Sequence, residues 1–251
     1  MMGDSYKALC SDFYVNQKVT VKMDLPRSRE TVLEFFERVR RQFPQMGHFR
    51  RYREELALES PQTDTPHRWL AVRSNNIRSG AVNAPTTPES YSIHEHVLET
   101  APYFLNVSPL DIDSIELLYG FDLAATGNHD AIVADAILAG SPLRQALELQ
   151  GATFAHCQPV LGVSFGQNNE YEINVEVKTR GQQTPGRETE PAAEPISVYL
   201  ILRRLGAVPD LKELPKVLSQ LTATGEELVE KRVVPTLLTP IREAIASSGN
   251  T

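Results

Sequence analysis

The closest approach to a chemical motif in this chain is the string Gly162-Val163-Ser164-Phe165-Gly166. It matches G-x-S-x-G, in which a sharp strand-to-helix turn exposes a nucleophilic serine. Here the string sits in an extended run and leads into QNNEYEINVEV, which reads as a turn into another strand. Ser164 is therefore disfavoured as a nucleophile, and the glycines read as a twisted or bulged strand entering a hairpin. His94 and His96 flank Glu95, but the Tyr91, His94, Leu98 spacing favours a helix, which turns the two imidazoles away from each other. His129 and Asp130 fall at a helix start, where the acid complements the helix dipole. His156 and Cys157 are neighbours on an extended stretch, so their side chains point to opposite faces and cannot pair. Without H-E-x-x-H or a cysteine cluster, the expectation is no bound metal. The glycine-rich phosphate loops are also missing, and no cofactor is expected. Carboxylates remain: Asp111, Asp113 and Glu116 in one group, Glu170, Glu172 and Glu176 in another. Alternating acids on an outer sheet face serve solvation and edge protection. The chain leans away from catalysis.

The elements that would position these residues are legible from periodicity. Val19, Val21, Met23 and Leu25 alternate with polar residues as a half-buried strand ended by Pro26. Val32, Phe36, Val39 and Phe43 then mark an amphipathic helix. RRYREELALES reads as one strand, with Tyr52, Leu56 and Leu58 on a face and Glu54 breaking the pattern. HRWLAVRS and NIRSGAVN follow, with a tight turn at Asn75-Asn76. Thr87 is placed to cap a helix that buries Tyr91, His94, Leu98 and Ala101. The second half repeats the order. Ile115, Leu117, Tyr119, Phe121 and Leu123 share a strand face, Asn128 caps a helix, and Ser141-Pro142 starts a shorter one with Leu143, Leu147 and Leu149 inward. An extended segment bent at Pro159 or Gly162, which suggests an edge or a bulge, the strand EYEINVEVKTR and the strand SVYLILRRL come next. Asp210 with Glu213 and Thr224 with Glu227 form two capping boxes, so two helices should close the chain, with a kink or break at Pro235.

This is an α+β reading: two tandem strand-helix-strands-helix halves, 1–108 and 109–251, forming antiparallel sheets with helices packed on one face. The segment 181–195 carries three prolines and no large apolar side chain, and is expected to be a long mobile loop. NQKVTVKMDL followed by SRETVLEFFERV aligns in pattern with SIELLYGFDL followed by NHDAIVADAIL. On that doubled order the chain resembles the tandem modules of TATA-box-binding-protein-like and helix-grip type, and a sporadically distributed group of bacterial proteins of the same doubling. The resemblance rests on element order, so it transfers no functional residue. Helix 226–246 has no equal in the first half.

The 251 residues include 25 Lys+Arg and 32 Asp+Glu, a formal net charge of −7. That balance disfavours nucleic acid and anionic membrane as partners. A local exception is possible among residues 27–53, where Arg38, Arg41, Arg50, Arg51 and Arg53 are the basic-patch candidates. No apolar run is long enough to span a bilayer, and two lone cysteines suit a reducing compartment, so a cytoplasmic location without membrane partners is expected. The leading functional expectation is a non-catalytic protein-binding or scaffold module, possible as a homodimer. The alternative is a helix-grip-like small-molecule pocket with simple acid–base chemistry, lined by Tyr119, Phe121, Phe154, Tyr171 and Tyr199.

Overall fold

In strand β1 (Asp12–Val21), Phe13, Val15, Gln17, Val19 and Val21 are buried while the residues between them are only half-buried. The period of two gives that strand one dry face and one wetter face, and the rest of the fold is built on it. The computed structural model describes residues 5–179 and 194–248. It is α+β. The elements after β1 are α1 (Arg29–Gln42), β2 (His48–Arg51), β3 (Leu56–Glu59), β4 (His67–Val72), β5 (Asn76–Val82) and α2 (Thr87–Phe104). Then come β6 (Ile112–Leu123), α3 (His129–Ile137), α4 (Pro142–Gln145), β7 (Val160–Phe165), β8 (Tyr171–Thr179) and β9 (Ile196–Leu205). Helix α5 (Leu214–Leu228), a π-helical stretch (Val229–Leu238) and α6 (Thr239–Ser248) follow.

The nine strands of the described residues form a single antiparallel sheet in the order β2-β3-β4-β5-β1-β6-β9-β8-β7. The join between the two runs of strands is β1 against β6, registered from Asp12 opposite Asp122 to Val21 opposite Ile112. Two acids facing each other across strands would repel. Each has donors instead: Asn83 Nδ2 gives to Asp12 at 2.8 Å, and Ser197 Oγ to Asp122 at 2.6 Å.

One face carries the helices. Against it lie Val32, Phe35, Phe36 and Val39 of α1, Ile93, Val97 and Leu98 of α2, and Leu214, Leu218 and Leu221 of α5, all buried in one cluster with the sheet. Each such side chain contributes roughly 1.5–3 kcal/mol by leaving water. Ser28 caps α1 and Asn128 caps α3 through side-chain oxygens. Among the described residues the other face has no helix, yet Tyr199 and Ile201 are buried there. Aromatic plates cover it. Trp69 lies over Gly80, its cross-strand neighbour, and Tyr14 lies over Gly120 in the same relation; a Cβ at either glycine would run into the ring. Arg78 and Lys178 sit over the Trp69 and Tyr199 rings, at 5.8 and 5.3 Å from the centroids.

Several expectations are corrected. The first strand starts earlier and ends at Val21, leaving Met23 exposed and Leu25 buried outside the sheet. RRYREELALES is a hairpin, β2 and β3, because Tyr52 N–H bonds Glu55 O at 2.9 Å and the turn hands the Glu55 carboxylate to Arg73 and Arg78. Thr86, one residue before the expected Thr87, caps α2. Leu143, Leu147 and Leu149 point outward, because the four-residue α4 is too short to bury a face. Thr224 caps nothing: it lies inside α5, and the helix runs through it. Pro235 sits in the π-helical stretch, whose wider turns tolerate a residue without an N–H. Of the expected loop 181–195, residues up to 193 lie outside the described residues.

Candidate functional site

Three places bring together groups with chemical potential. The first is a Ser–His pair. Ser79 on β5 points to the helix side, where its Oγ lies 2.7 Å from His94 Nδ1, while His94 Nε2 is 3.2 Å from the Val15 carbonyl. A carbonyl only accepts, so Nε2 carries the hydrogen and Nδ1 takes one from Ser79. That is the hydrogen-bond order of a nucleophile and its base. Both residues are fully buried, however, and burial pushes the His94 pKa down to about 3. A pair sealed in the core ties α2 to the sheet instead of meeting a substrate.

The second is a groove of about 590 Å³ between the start of α2 and the π-helical stretch, walled by Tyr6, Thr87, Tyr119, Ala223, Glu226 and Lys231 among others. Tyr119 reaches it from the middle of β6, its ring packed against the backbone of α5 at Gly225, where a Cβ would collide with the ring. Tyr91 Oη lies 2.7 Å from Tyr119 Oη and donates to Glu226 Oε1 at 3.0 Å. Burial pushes both phenols far above the ordinary tyrosine range; Tyr119 and the Glu226 carboxylate raise Tyr91 further, whereas for Tyr119 the hydrogen bond with Tyr91 works against burial and Glu226 adds to it. They stay neutral, so the groove offers hydroxyls, the carboxylates of Glu226, Glu227 and Glu230 and the Lys231 ammonium, but no phenolate base.

The third is the outer edge at β7. Its partner register runs uninterrupted from Val160 opposite Glu176 to Phe165 opposite Tyr171, and among the described residues its far side meets no strand. Leu161, Val163 and Phe165 face the helix side of the sheet but are 75%, 57% and 45% exposed. Helix α5 packs on β9, and of β7 only Phe165 shares a cleft with it, opposite Gln220, Leu221 and Thr224. Of the twelve large apolar residues exposed among the described residues, seven fall between Leu143 and Phe165, so exposure is concentrated in this segment.

The sequence-derived candidates separate. Tyr119 and Phe121 are buried on the helix face, Phe121 packed edge-on to Tyr6 and against Phe13. Tyr171 is half-buried on that face, stacked on Phe165, and borders a different cleft of about 240 Å³. Tyr199 lies on the opposite face beside Tyr14. Phe154 sits under Arg144, near α3. The five do not share a cavity. Arg38, Arg41, Arg50, Arg51 and Arg53 are all exposed. They are spread over α1, the β2 edge and its turn, with Arg50 and Arg51 on opposite sheet faces and Arg50 drawn to Glu59 at 3.7 Å. Ser164 is exposed on β7, and a strand follows it. Sequence reasoning placed Tyr91 on a buried helix face without linking it to a site, and missed Gly225 and Glu226. The separation of 135 positions between Tyr91 and Glu226 leaves no local signal for their contact.

Among the described residues no group of three His, Cys, Asp or Glu could hold a metal ion, and no helix is long and apolar enough to cross a membrane. No family model and no curated protein matches the chain. Among solved structures it is similar to the di-domain ARO/CYC BexL from the BE-7585A biosynthetic pathway, at 8% identity over 92% of this chain and 98% of that one, with a TM-score of 0.20. At that score the likeness carries no argument about fold or function.

Proposed function

We infer that this protein is a non-catalytic binding module that offers the β7 edge of its sheet to another polypeptide. The observation that carries this reading is an uncharged six-residue edge strand with Leu161, Val163 and Phe165 exposed side by side on one face. Unpaired strand edges recruit strands, and a protein that keeps one free of charge, proline and bulge keeps it open for use. The test is affinity capture from host lysate with the wild-type chain and with Val163→Lys as baits, folding being checked by circular dichroism. Proteins held by the wild type and lost with the variant support the reading; identical captures overturn it.

The groove at Tyr119 favours a second reading, a small-molecule site, because about 590 Å³ falls within the range of ligand pockets. Native mass spectrometry of protein taken directly from cells tests it. A retained adduct that disappears in Ala223→Phe supports the site, and a bare mass for both proteins ends it.

A further inference from the structure

The sheet has two edges, and their chemistry differs. β2 has four residues and presents Arg50 and Arg51 to opposite faces, so a strand approaching it meets a guanidinium on either side. That is ordinary protection against edge pairing. β7 has six residues, VLGVSF, with no charge and no interruption of its register.

Its hydrogen bonding settles which backbone groups are left over. Val177 N–H bonds Pro159 O at 3.0 Å, so positions 159, 161, 163 and 165 are the ones that bond to β8. The N–H and C=O of Val160, Gly162 and Ser164 therefore point outward. The side chains of Leu161, Val163 and Phe165 stand together on the helix side.

Resting on the reading of β7 as a binding edge, we propose that its occupant is β7 of a second copy of this chain. The two strands run antiparallel about a two-fold axis through Val163 and join the nine-stranded sheets into one. The register follows from two requirements. Outward-pointing residues must face outward-pointing residues, and apolar side chains must stay on one face. Centring on Val163 meets both, setting Gly162 against Ser164 of the second copy and Leu161 against Phe165 of the second copy. Centring on Gly162 would set Phe165 against Pro159 and lose the apolar match.

Charge points the same way. Glu172 and Glu176 lie one strand in, on the face opposite Leu161, Val163 and Phe165, and the Glu170 carboxylate is held in the turn beyond the end of β7, against Gly166, where it accepts from the Asn168 N–H at 2.9 Å. In the pair, the two β8 strands would be three strand spacings apart, about 14 Å, farther than charges reach at physiological salt. Pairing β7 with the β2 of another copy would set an uncharged strand against arginines, and head-to-tail contacts of that kind propagate instead of closing.

The test exploits the register. Across a non-hydrogen-bonded antiparallel pair the Cα atoms are about 4.5 Å apart, within disulfide range, so Val163→Cys should cross-link to itself under mild oxidation. Leu161→Cys should not, because its two copies would be about 14 Å apart along the strands. The wild type, which carries Cys10 and Cys157, is the background control. The expected result is a wild-type dimer in sedimentation, a monomer for Val163→Lys with unchanged circular dichroism, and cross-linking of Val163→Cys at least about tenfold faster than Leu161→Cys. A monomeric wild type, with both cysteine variants cross-linking at the same rate, overturns the proposal. If Val163→Lys then still abolishes capture of a different protein, the binding-edge reading stands and only the second copy is wrong. If it changes neither, both fall.

Discussion

The hydroxyl oxygens of Tyr91 and Tyr119 lie 2.7 Å apart, so helix α2 and strand β6 meet through two neutral phenols. Each hydroxyl has one hydrogen. With that of Tyr91 given to Glu226 at 3.0 Å, Tyr119 gives its own to Tyr91, closer than the Thr222 carbonyl at 3.3 Å. Tyr91→Phe therefore removes both a donor and an acceptor, and Tyr119→Phe only the last donor of the chain. The expected losses in urea unfolding are about 2 kcal/mol for the first and about 1 kcal/mol for the second. The reverse order would mean that the relay runs the other way.

Gly225 makes the opposite demand on the same ring. Inside an exposed helix, Gly→Ala gains up to about 1 kcal/mol. Here the added Cβ would overlap the Tyr119 ring, so Gly225→Ala should lower stability by about 1–3 kcal/mol. In a Tyr119→Leu background the clash is gone and the same change should be neutral or stabilising. A double-mutant cycle without that change of sign would remove the packing explanation.

These contacts mark where the sequence stops being legible. Period-two and helical patterns place β6, β8, α1 and α2 because the helix layer demands one apolar face from each. Pro159 and Gly162 leave an edge and a bulge both open in the sequence, and the unshifted register of β7 on β8 corrects the bulge. What VLGVSF does not announce is exposure, since an uncharged run of six looks equally like a buried strand. Burial on the helix-free face was also hidden, because it comes from Trp69 and Tyr14 lying over cross-strand glycines, which depends on register. The hairpin at Tyr52–Glu55 escaped because arginines far along the chain, Arg73 and Arg78, hold Glu55. Tyr119, Phe121 and Tyr199 look alike in the sequence, and only strand parity puts Tyr199 on the other face.

His94 sets an acid limit on the fold. Burial holds its imidazole neutral down to about pH 3, whereas in the unfolded chain it takes a proton near the ordinary value of 6.5. Between those values the unfolded state binds the extra proton, so the His94 contribution is complete above pH 6.5 and is lost as pH falls towards 3. The steepest loss is about 1.4 kcal/mol per pH unit. His94→Gln should flatten the dependence of urea midpoints on pH across this window, at a cost in stability at neutral pH. A wild-type profile equal to that of the variant would show that the imidazole is hydrated in the native state.

Gln17 breaks the rule that built its strand. It stands on the dry face of β1 between Ser79 and Leu117 of the flanking strands, 2% exposed, and neither its Oε1 nor its Nε2 finds a hydrogen-bond partner among the described residues. An unpaired buried amide costs about 1–3 kcal/mol. Methionine has nearly the same length and volume without the polar atoms, so Gln17→Met should raise stability by about 1–2 kcal/mol. The denaturant midpoint should rise without a change in m-value. A fall would mean that the amide is satisfied in solution, and comparing the backbone amide exchange of Ser79 and Leu117 in the two proteins would then locate the group that satisfies it.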